Sequence, residues 1–556
     1  MKTAAELVIQ VLADAGVKQV FGISGDSVLA LIDAIERTPG IDYMTVFHEQ
    51  VGTSMADGYA RVTGNPGVVM AHMGPGVCNL VIGLASAYRD STPVIALSGV
   101  RELRKIGRDS WHEIDQMGLL RPITKWGARI ISADSAARVT KTALTMALRG
   151  RPGPVHSELP KDIAKVESSV GAGAALKFSA IQEASRVGPN PKLVEKACDL
   201  LLAADRPVIL AGGGVLRSAA EQSLLAFAEL LPIPVATTSN GRGTIPEDHP
   251  LAIGPIGQYG TPFASEEIKQ ADVVLALGTR FSDVATRDWT LISPSAKIIH
   301  VDMDAKELGR QFEEALSMVA DARLFLEAAA AEMKGRTKGK RPAGPIESQP
   351  RIAALIKGRD EEFKSFFDPS AHAAVPGKPQ LLVKEIIGTL KRDAIIVLGA
   401  GLYARYAGRI PVRASGSYLK SLGLGALGWA FPAALGAKLG QPGRQVVCLL
   451  GDGDFMSVIQ DLSTAVRENI PVAVVVFNDY GHGSIRELQK REYGGRIVGS
   501  NYTPPPFDEL ARVMGALGFR ATKPEEVKPA LGKILDSGKP GVLEISINPK
   551  ISVKSS

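Results

Sequence analysis

The sequence predicts an α/β protein of three doubly wound parallel-sheet domains, and three observations carry that prediction. The first is length. A chain of 556 residues exceeds what one hydrophobic core accommodates, and domains of ordinary size give about three. The second is strand type. Runs such as Val446-Val447-Cys448-Leu449-Leu450 and Val472-Ala473-Val474-Val475-Val476-Phe477 are apolar throughout, as strands buried on both faces require. The third is punctuation. These runs end in Gly, Asp or Asn and alternate with stretches of helical spacing, the pattern of right-handed crossover units. The expected divisions are residues 1–165, 185–335 and 375–550.

Composition excludes several classes. The chain is 45% hydrophobic and 22% charged, in the soluble globular range. No apolar run approaches the length of a membrane span, and the chain starts directly with an amphipathic helix, without a signal-peptide layout. No membrane partner is therefore expected. Cys78, Cys198 and Cys448 lie far apart with no metal-ligand spacing, which fits a reducing, cytoplasmic compartment. The net charge of +6 invites a nucleic-acid reading. However, Lys334, Arg336, Lys338, Lys340 and Arg341 fall in one Gly-containing stretch and nearly account for the excess. A solvated interdomain linker explains them, and no nucleic-acid partner is expected.

In the first domain the spacing predicts helices over 4–15, 28–35 and 80–88 and strands over 19–21, 44–47, 68–71 and 94–97. Glu49, in His48-Glu49-Gln50, falls between a strand and a helix, where the helix dipole favours a carboxylate. Asp26, just before the second helix, reads as an N-cap. In the middle domain a helix over 192–203 leads to a strand ending at Gly212-Gly213-Gly214. That turn could cradle a nucleotide phosphate, although its spacing is not Gly-x-Gly-x-x-Gly. Two more strand-plus-turn units follow near 272–283 and 300–304.

In the third domain a helix over 380–390 precedes a strand over 395–398 that ends at Gly399-Ala400-Gly401. The strand over 445–450 leads into Gly451-Asp452-Gly453-Asp454-Phe455, a helical stretch spans 456–469, and the strand over 470–477 leads into Asn478-Asp479-Tyr480-Gly481. In a crossover unit the two motifs emerge side by side at the carboxyl edge of the sheet. Asp452 and Asp479 could share one hard divalent cation, and Gly453 would let a diphosphate approach the backbone. Two ordinary strand-end turns would also explain the pattern.

These last two motifs resemble the diphosphate motif of thiamine-diphosphate enzymes, in which Gly-Asp-Gly is followed at similar distance by Asn-Asn. The resemblance implies Mg²⁺ ligated by Asp452, by Asp479 in place of the second Asn, and by the Gly481 carbonyl. Phe47-His48-Glu49-Gln50 and Ala56-Asp57-Gly58-Tyr59-Ala60-Arg61 resemble the pyrimidine-binding domain of acetolactate synthases and their relatives. There the matching glutamate hydrogen-bonds N1′ of the aminopyrimidine and promotes deprotonation of C2, the role implied for Glu49. Gly74-Pro75-Gly76-Val77-Cys78-Asn79 resembles the turn bordering the cofactor, implying contacts from Pro75 and Asn79. In the third domain the resemblance implies contacts from Gly401, Tyr403, Gly425, Leu427, Gly453, Asp454, His482 and Gly483. Leu427 would sit beneath the cofactor and the Gly425 carbonyl would face its amino group. The middle domain resembles one that binds FAD in acetolactate synthases or ADP in oxalyl-CoA decarboxylases.

The sequence also departs from acetolactate synthases. Asp26 and His72 match residues of decarboxylases in the wider family, and His112 replaces a substrate-facing glutamine. Ser484 and Leu488 stand where the synthases have Met and Trp. The three titratable side chains are therefore candidate proton-handling residues. The expected activity is Mg²⁺- and thiamine-diphosphate-dependent decarboxylation of a 2-oxo acid, with the resulting carbanion protonated or ligated to a second carbonyl. The alternatives are cleavage of an oxalyl-CoA-type or 2-hydroxyacyl-CoA substrate and a catalytically silent regulatory relative. The resemblance further implies a homodimer or homotetramer with active sites between subunits.

Overall fold

The computed structural model describes residues 1–336, 344–368 and 378–547. Its apolar runs form three six-stranded sheets, parallel at every pairing. The first sheet contains β1 (Gln19–Gly22), β2 (Asp42–Thr45), β3 (Gly67–Ala71), β4 (Val94–Val100), β5 (Trp126–Arg129) and β6 (Val155–Pro160), in the order β2-β1-β3-β4-β6-β5. The second contains β7 (Pro207–Ala211), β8 (Val235–Thr237), β9 (Ala252–Pro255), β10 (Val273–Leu277), β11 (Lys297–Asp302) and β12 (Leu316–Val319), in the order β12-β11-β10-β7-β8-β9. The third contains β13 (Ile395–Leu398), β14 (Tyr418–Lys420), β15 (Val446–Gly451), β16 (Ala473–Asn478), β17 (Leu517–Ala521) and β18 (Gly541–Ser546), in the order β14-β13-β15-β16-β18-β17.

The first and third sheets share one strand order. The middle sheet has the dinucleotide-fold order, with its switch point between β7 and β10. The α/β expectation of three parallel sheets thus holds. Central strands such as β3, β10 and β16 are buried along their whole length, which is why they read as apolar runs.

Local chemistry sets the element ends. Thr3 and Glu6 form a capping box on helix Ala4–Ala15, and Gly16 closes it at φ 110°. Three expectations need correcting. Residues 456–469 do not form one helix: a turn of helix over Asp452–Met456 is followed by a 3-10 turn Ile459–Asp461 and helix Leu462–Arg467. Asp26 caps nothing, because its helix runs Leu29–Glu36 with no side-chain cap. Lys334 and Arg336 belong to helix Ala322–Arg336 rather than to a linker, and Arg336 pairs with Glu332 and Asp199. Lys338, Lys340 and Arg341 lie outside the described residues.

The first and third domains touch through helices Glu49–Thr63 and Ala430–Gly440. Glycines let them cross closely: a β-carbon on Gly58 would lie 2.1 Å from Ala433 O, and one on Gly436 1.9 Å from Met55 O. Beside that crossing, Trp429 Nε1 donates to Asp57 Oδ2 at 2.7 Å. Arg61 pairs with Asp57 and Asp90 and lies over the Trp429 ring. All three domains meet at Asp90, whose carboxylate accepts from Arg61, from Asn240 of the middle domain and from Gly423 N of the third.

Candidate active site

The loops after β13, β15 and β16 converge on one pocket of about 270 Å³, as expected for the carboxyl edge of a parallel sheet. Gly401, Tyr403, Leu427, Asp452, Gly453, Asp454, Asp479, Gly481, His482 and Gly483 all line it. Gly425 does not line it and lies exposed in the turn beside Leu427. Asp452 accepts from Gly453 N and Gly481 N, both at 2.9 Å, which ties the two motifs together across adjacent strands. Asp479 faces it from the β16 end. Burial, and then the Asp452 carboxylate, push Asp479 up to about 7, while burial alone raises Asp452.

Asp454 plays a different structural part. Its oxygens accept from Gly428 N at 2.6 Å and Ala400 N at 3.1 Å, so it braces the two neighbouring loops. Burial pushes its acid up to about 6.

The pocket suits a metal-bound diphosphate on its own geometry. A β-carbon on Gly453 would come within 2.6 Å of Tyr502 Oη and 2.9 Å of His482 Cε1, so this cradle stays open only with glycine. The buried Tyr403 hydroxyl in the wall has no hydrogen-bond partner among the described residues. Helix Gly483–Glu492 points its N-terminus at the same space, a favourable place for an anion. Among the described residues no cluster of three His, Cys, Asp or Glu side chains could hold a metal. A hard cation here would rest on two carboxylates, a carbonyl and ligand phosphates.

In the first domain Glu49 is 5% exposed, and Asn79 Nδ2 donates to its Oε2 at 2.8 Å. A β-carbon on Gly76 would approach its Oε1 to 2.9 Å, which accounts for the second glycine of the Gly74-Pro75-Gly76 turn. Pro75 is exposed on that turn. Gln50 Nε2 donates to Leu427 O at 3.1 Å, yet no first-domain residue lines the third-domain pocket of the same chain.

The other three candidates, far apart in sequence, meet in one network. His72 Nδ1 lies 2.8 Å from Ser27 Oγ and 3.5 Å from Asp26 Oδ1, and His72 Nε2 lies 2.9 Å from His112 Nδ1. Ser27 Oγ also accepts from Met73 N at 3.1 Å. Burial depresses the His72 pKa, with Asp26 opposing. A hydrogen bond from Lys161 holds Asp26 below the usual carboxylate range.

Several residues escaped sequence reasoning. Ser27 and Lys161 carry no motif, although Ser27 adjoins Asp26. Gln116 is buried, accepts from Gly74 N, and donates to Gly99 O and Glu158, so it fastens the His112 loop to the turn. Arg486 pairs with Asp479 at 2.9 Å, and no spacing rule announces that pair.

A larger cavity of about 610 Å³ opens between the middle and first domains, lined by Gly213, Gly214, Gly278 and Asp302 at the dinucleotide switch point and by Arg61 and Arg151 opposite. Burial raises the Asp302 carboxyl.

Family comparison agrees with this geometry. Residues 2–119 match the thiamine pyrophosphate enzyme N-terminal TPP binding domain, 194–329 the central domain, and 399–545 the C-terminal TPP binding domain. The chain belongs to the thiamine pyrophosphate enzymes. Within that family it is similar to the probable acetolactate synthase large subunit of Methanococcus aeolicus, at 35% identity over 98% of this chain and 92% of the relative. It is also similar to the acetolactate synthase isozyme 3 large subunit of Escherichia coli K12, at 34% over 96% and 92%. The acetolactate synthase large subunit of Corynebacterium glutamicum matches at 33% over 99% and 88%.

Proposed function

We propose that this protein is a thiamine-diphosphate- and Mg²⁺-dependent enzyme that decarboxylates a 2-oxo acid and returns a proton to the product. The observation that carries the second half is the Ser27–His72–His112 chain, with contacts of 2.8 and 2.9 Å. Bound thiamine diphosphate supplies the electron sink that lets the carboxylate leave. Asp452, Asp479 and the Gly481 carbonyl would hold the cation. Gly401, Gly453 and the Ser484 amide would receive the diphosphate, while Asp454 keeps the Ala400 and Gly428 loops in register. Leu427 would supply apolar bulk to the cofactor, and Pro75, Asn79 and Gly425 would lie on the turns that border it. Glu49 would hold the proton exchanged with the cofactor, and Asn79 orients its carboxylate. His112 would deliver a proton from its outer nitrogen, and His72, whose pKa burial lowers, would pass the next one.

The acetolactate synthase relatives favour a second reading, in which the carbanion attacks another carbonyl. Ser484, small on the pocket wall, is compatible with either fate.

Glu49 and the cation pocket would be completed between two copies of the chain. Leu424, Leu427, Met456, Ile82 and Trp111 expose apolar surface on these same motifs, which supports a homodimer or a dimer of dimers. The middle cavity has the size and cationic lining for a nucleotide such as FAD or ADP. The three cysteines are unpaired, and no helix among the described residues is long and apolar enough to cross a membrane. A cytoplasmic setting fits both.

Proton NMR of pyruvate incubated with protein, Mg²⁺ and thiamine diphosphate tests the proposal. Cofactor-dependent acetaldehyde supports protonation, and acetolactate supports ligation. Turnover of oxalyl-CoA but of no 2-oxo acid in a panel would refute the substrate class. Turnover of nothing in either panel would favour the silent relative.

A further inference from the structure

Asp479 raises an electrostatic question that the pocket itself answers. Where two carboxylates face one cation and a diphosphate, the second acid, once ionised, adds a negative charge that an amide would not. Arg486, three residues into the helix that begins at Gly483, lies with its side chain 6% exposed against that acid. Its Nη2 donates to Asp479 Oδ2 and to Asp479 O, both at 2.9 Å, and its Nη1 donates to Asn501 Oδ1 at 3.1 Å. Among the described residues no other side chain donates to the Asp479 carboxylate, and Arg486 engages it through Oδ2. Gly483 makes the arrangement fit, because a β-carbon there would sit 2.0 Å from Asp479 Oδ2. Asn501 bridges back to Gly481, so one guanidinium grips both sides of the loop that carries the proposed carbonyl ligand.

We infer that Arg486 is a positioning residue that makes Asp479 equivalent to a neutral amide ligand. It occupies Oδ2, cancels the extra charge, and leaves Oδ1 alone facing the cation. The inference rests on the cation reading of the pocket proposed above. Without Arg486 the acid would be free to swing or bind through both oxygens. With Arg486 but an amide at 479, the buried guanidinium would be uncompensated beside the cation. The two residues therefore belong together, and either change alone harms cation binding while both together restore it.

The test is calorimetric titration of Mg²⁺ into protein saturated with thiamine diphosphate, for the parent, Asp479→Asn, Arg486→Met and the double variant. Each single change is expected to weaken Mg²⁺ binding roughly tenfold or more, and the double to return within about threefold of the parent. Unchanged or tighter binding by Arg486→Met, or a double-variant loss equal to the product of the single losses, would overturn the inference. If Arg486→Met does not fold, Arg486→Lys decides. It keeps the charge but not the fork, so intermediate affinity is expected and parental affinity refutes the positioning role. A parent that binds no Mg²⁺ refutes the cation reading and this inference together, whereas a parent that binds with multiplicative variants refutes only this inference.

Discussion

Replacing Gly58 with Ala tests whether the close helix crossing organises the active site. The new methyl would lie 2.1 Å from Ala433 O and 2.7 Å from Ala433 C and Cα. That is roughly 1.3 Å short of a comfortable separation. The obstacle is backbone, so no rotamer change relieves it, and helices Glu49–Thr63 and Ala430–Gly440 must move apart. Helix propensity favours Ala by up to about 1 kcal/mol, while overpacking of this kind costs about 1–3 kcal/mol or more. Strain wins, with a net loss of about 1–2 kcal/mol. Separation would also pull Gln50 from Leu427 O and loosen Asp57 from Trp429, so thiamine-diphosphate affinity should fall along with stability. Gly532 is the control: it lies inside helix Pro524–Ser537 with nothing within 4 Å of a built β-carbon, so its Ala variant should gain about 0.5–1 kcal/mol. Both variants are read by thermal melting of the apo protein and by calorimetric cofactor titration. A Gly58→Ala protein with parental melting and affinity would refute the reasoning.

Three further outcomes are expected. His156 is buried, and burial holds its imidazole down at about 4, below the unfolded value, so the unfolded chain takes the proton first. Its stability contribution is intact above about pH 6.5 and is lost as pH falls toward 4, up to about 3 kcal/mol. Denaturant midpoints at pH 7.5 and 5 should show a slope that His156→Gln reduces. Asp90→Ala strips a buried carboxylate from Arg61, Asn240 and Gly423 N, which should lower stability by about 3 kcal/mol and weaken cofactor binding. A variant with unaltered melting would contradict its part in joining the three domains. His112→Phe should cut the aldehyde share of product while leaving cofactor affinity within about twofold, as followed by NMR, and an unchanged product ratio would remove His112 from proton delivery.

Much of the fold was legible because buried parallel strands are apolar on both faces. The helix over 4–15 and the strand over 395–398 match the structure residue for residue. Edge strand β5 escaped because Trp126-Gly127-Ala128-Arg129 is half exposed and carries no such run. The stretch over 456–469 misled because Ile459, Leu462 and Val466 keep helical spacing across two turns and a break. In the site, Asp452 and Asp479 were legible because each ends a strand of one crossover unit. The meeting of Ser27, His72 and His112 was not, since it depends on the β1, β3 and β4 loops converging at one sheet edge. Gly58 and Asp57 looked like parts of a pyrimidine motif, yet their structural roles are the helix crossing and the bond to Trp429, which only tertiary packing reveals.

The most direct test needs no knowledge of the substrate. Exchange of the C2 proton of added thiamine diphosphate for deuterium can be followed by quenched-flow NMR, with Mg²⁺ present, for the parent and for Glu49→Gln. The account predicts exchange in the parent far faster than in free cofactor and a loss of about 10²–10⁴-fold on Glu49→Gln with cofactor still bound. Equal exchange in the two proteins, or no acceleration by the parent, would contradict it.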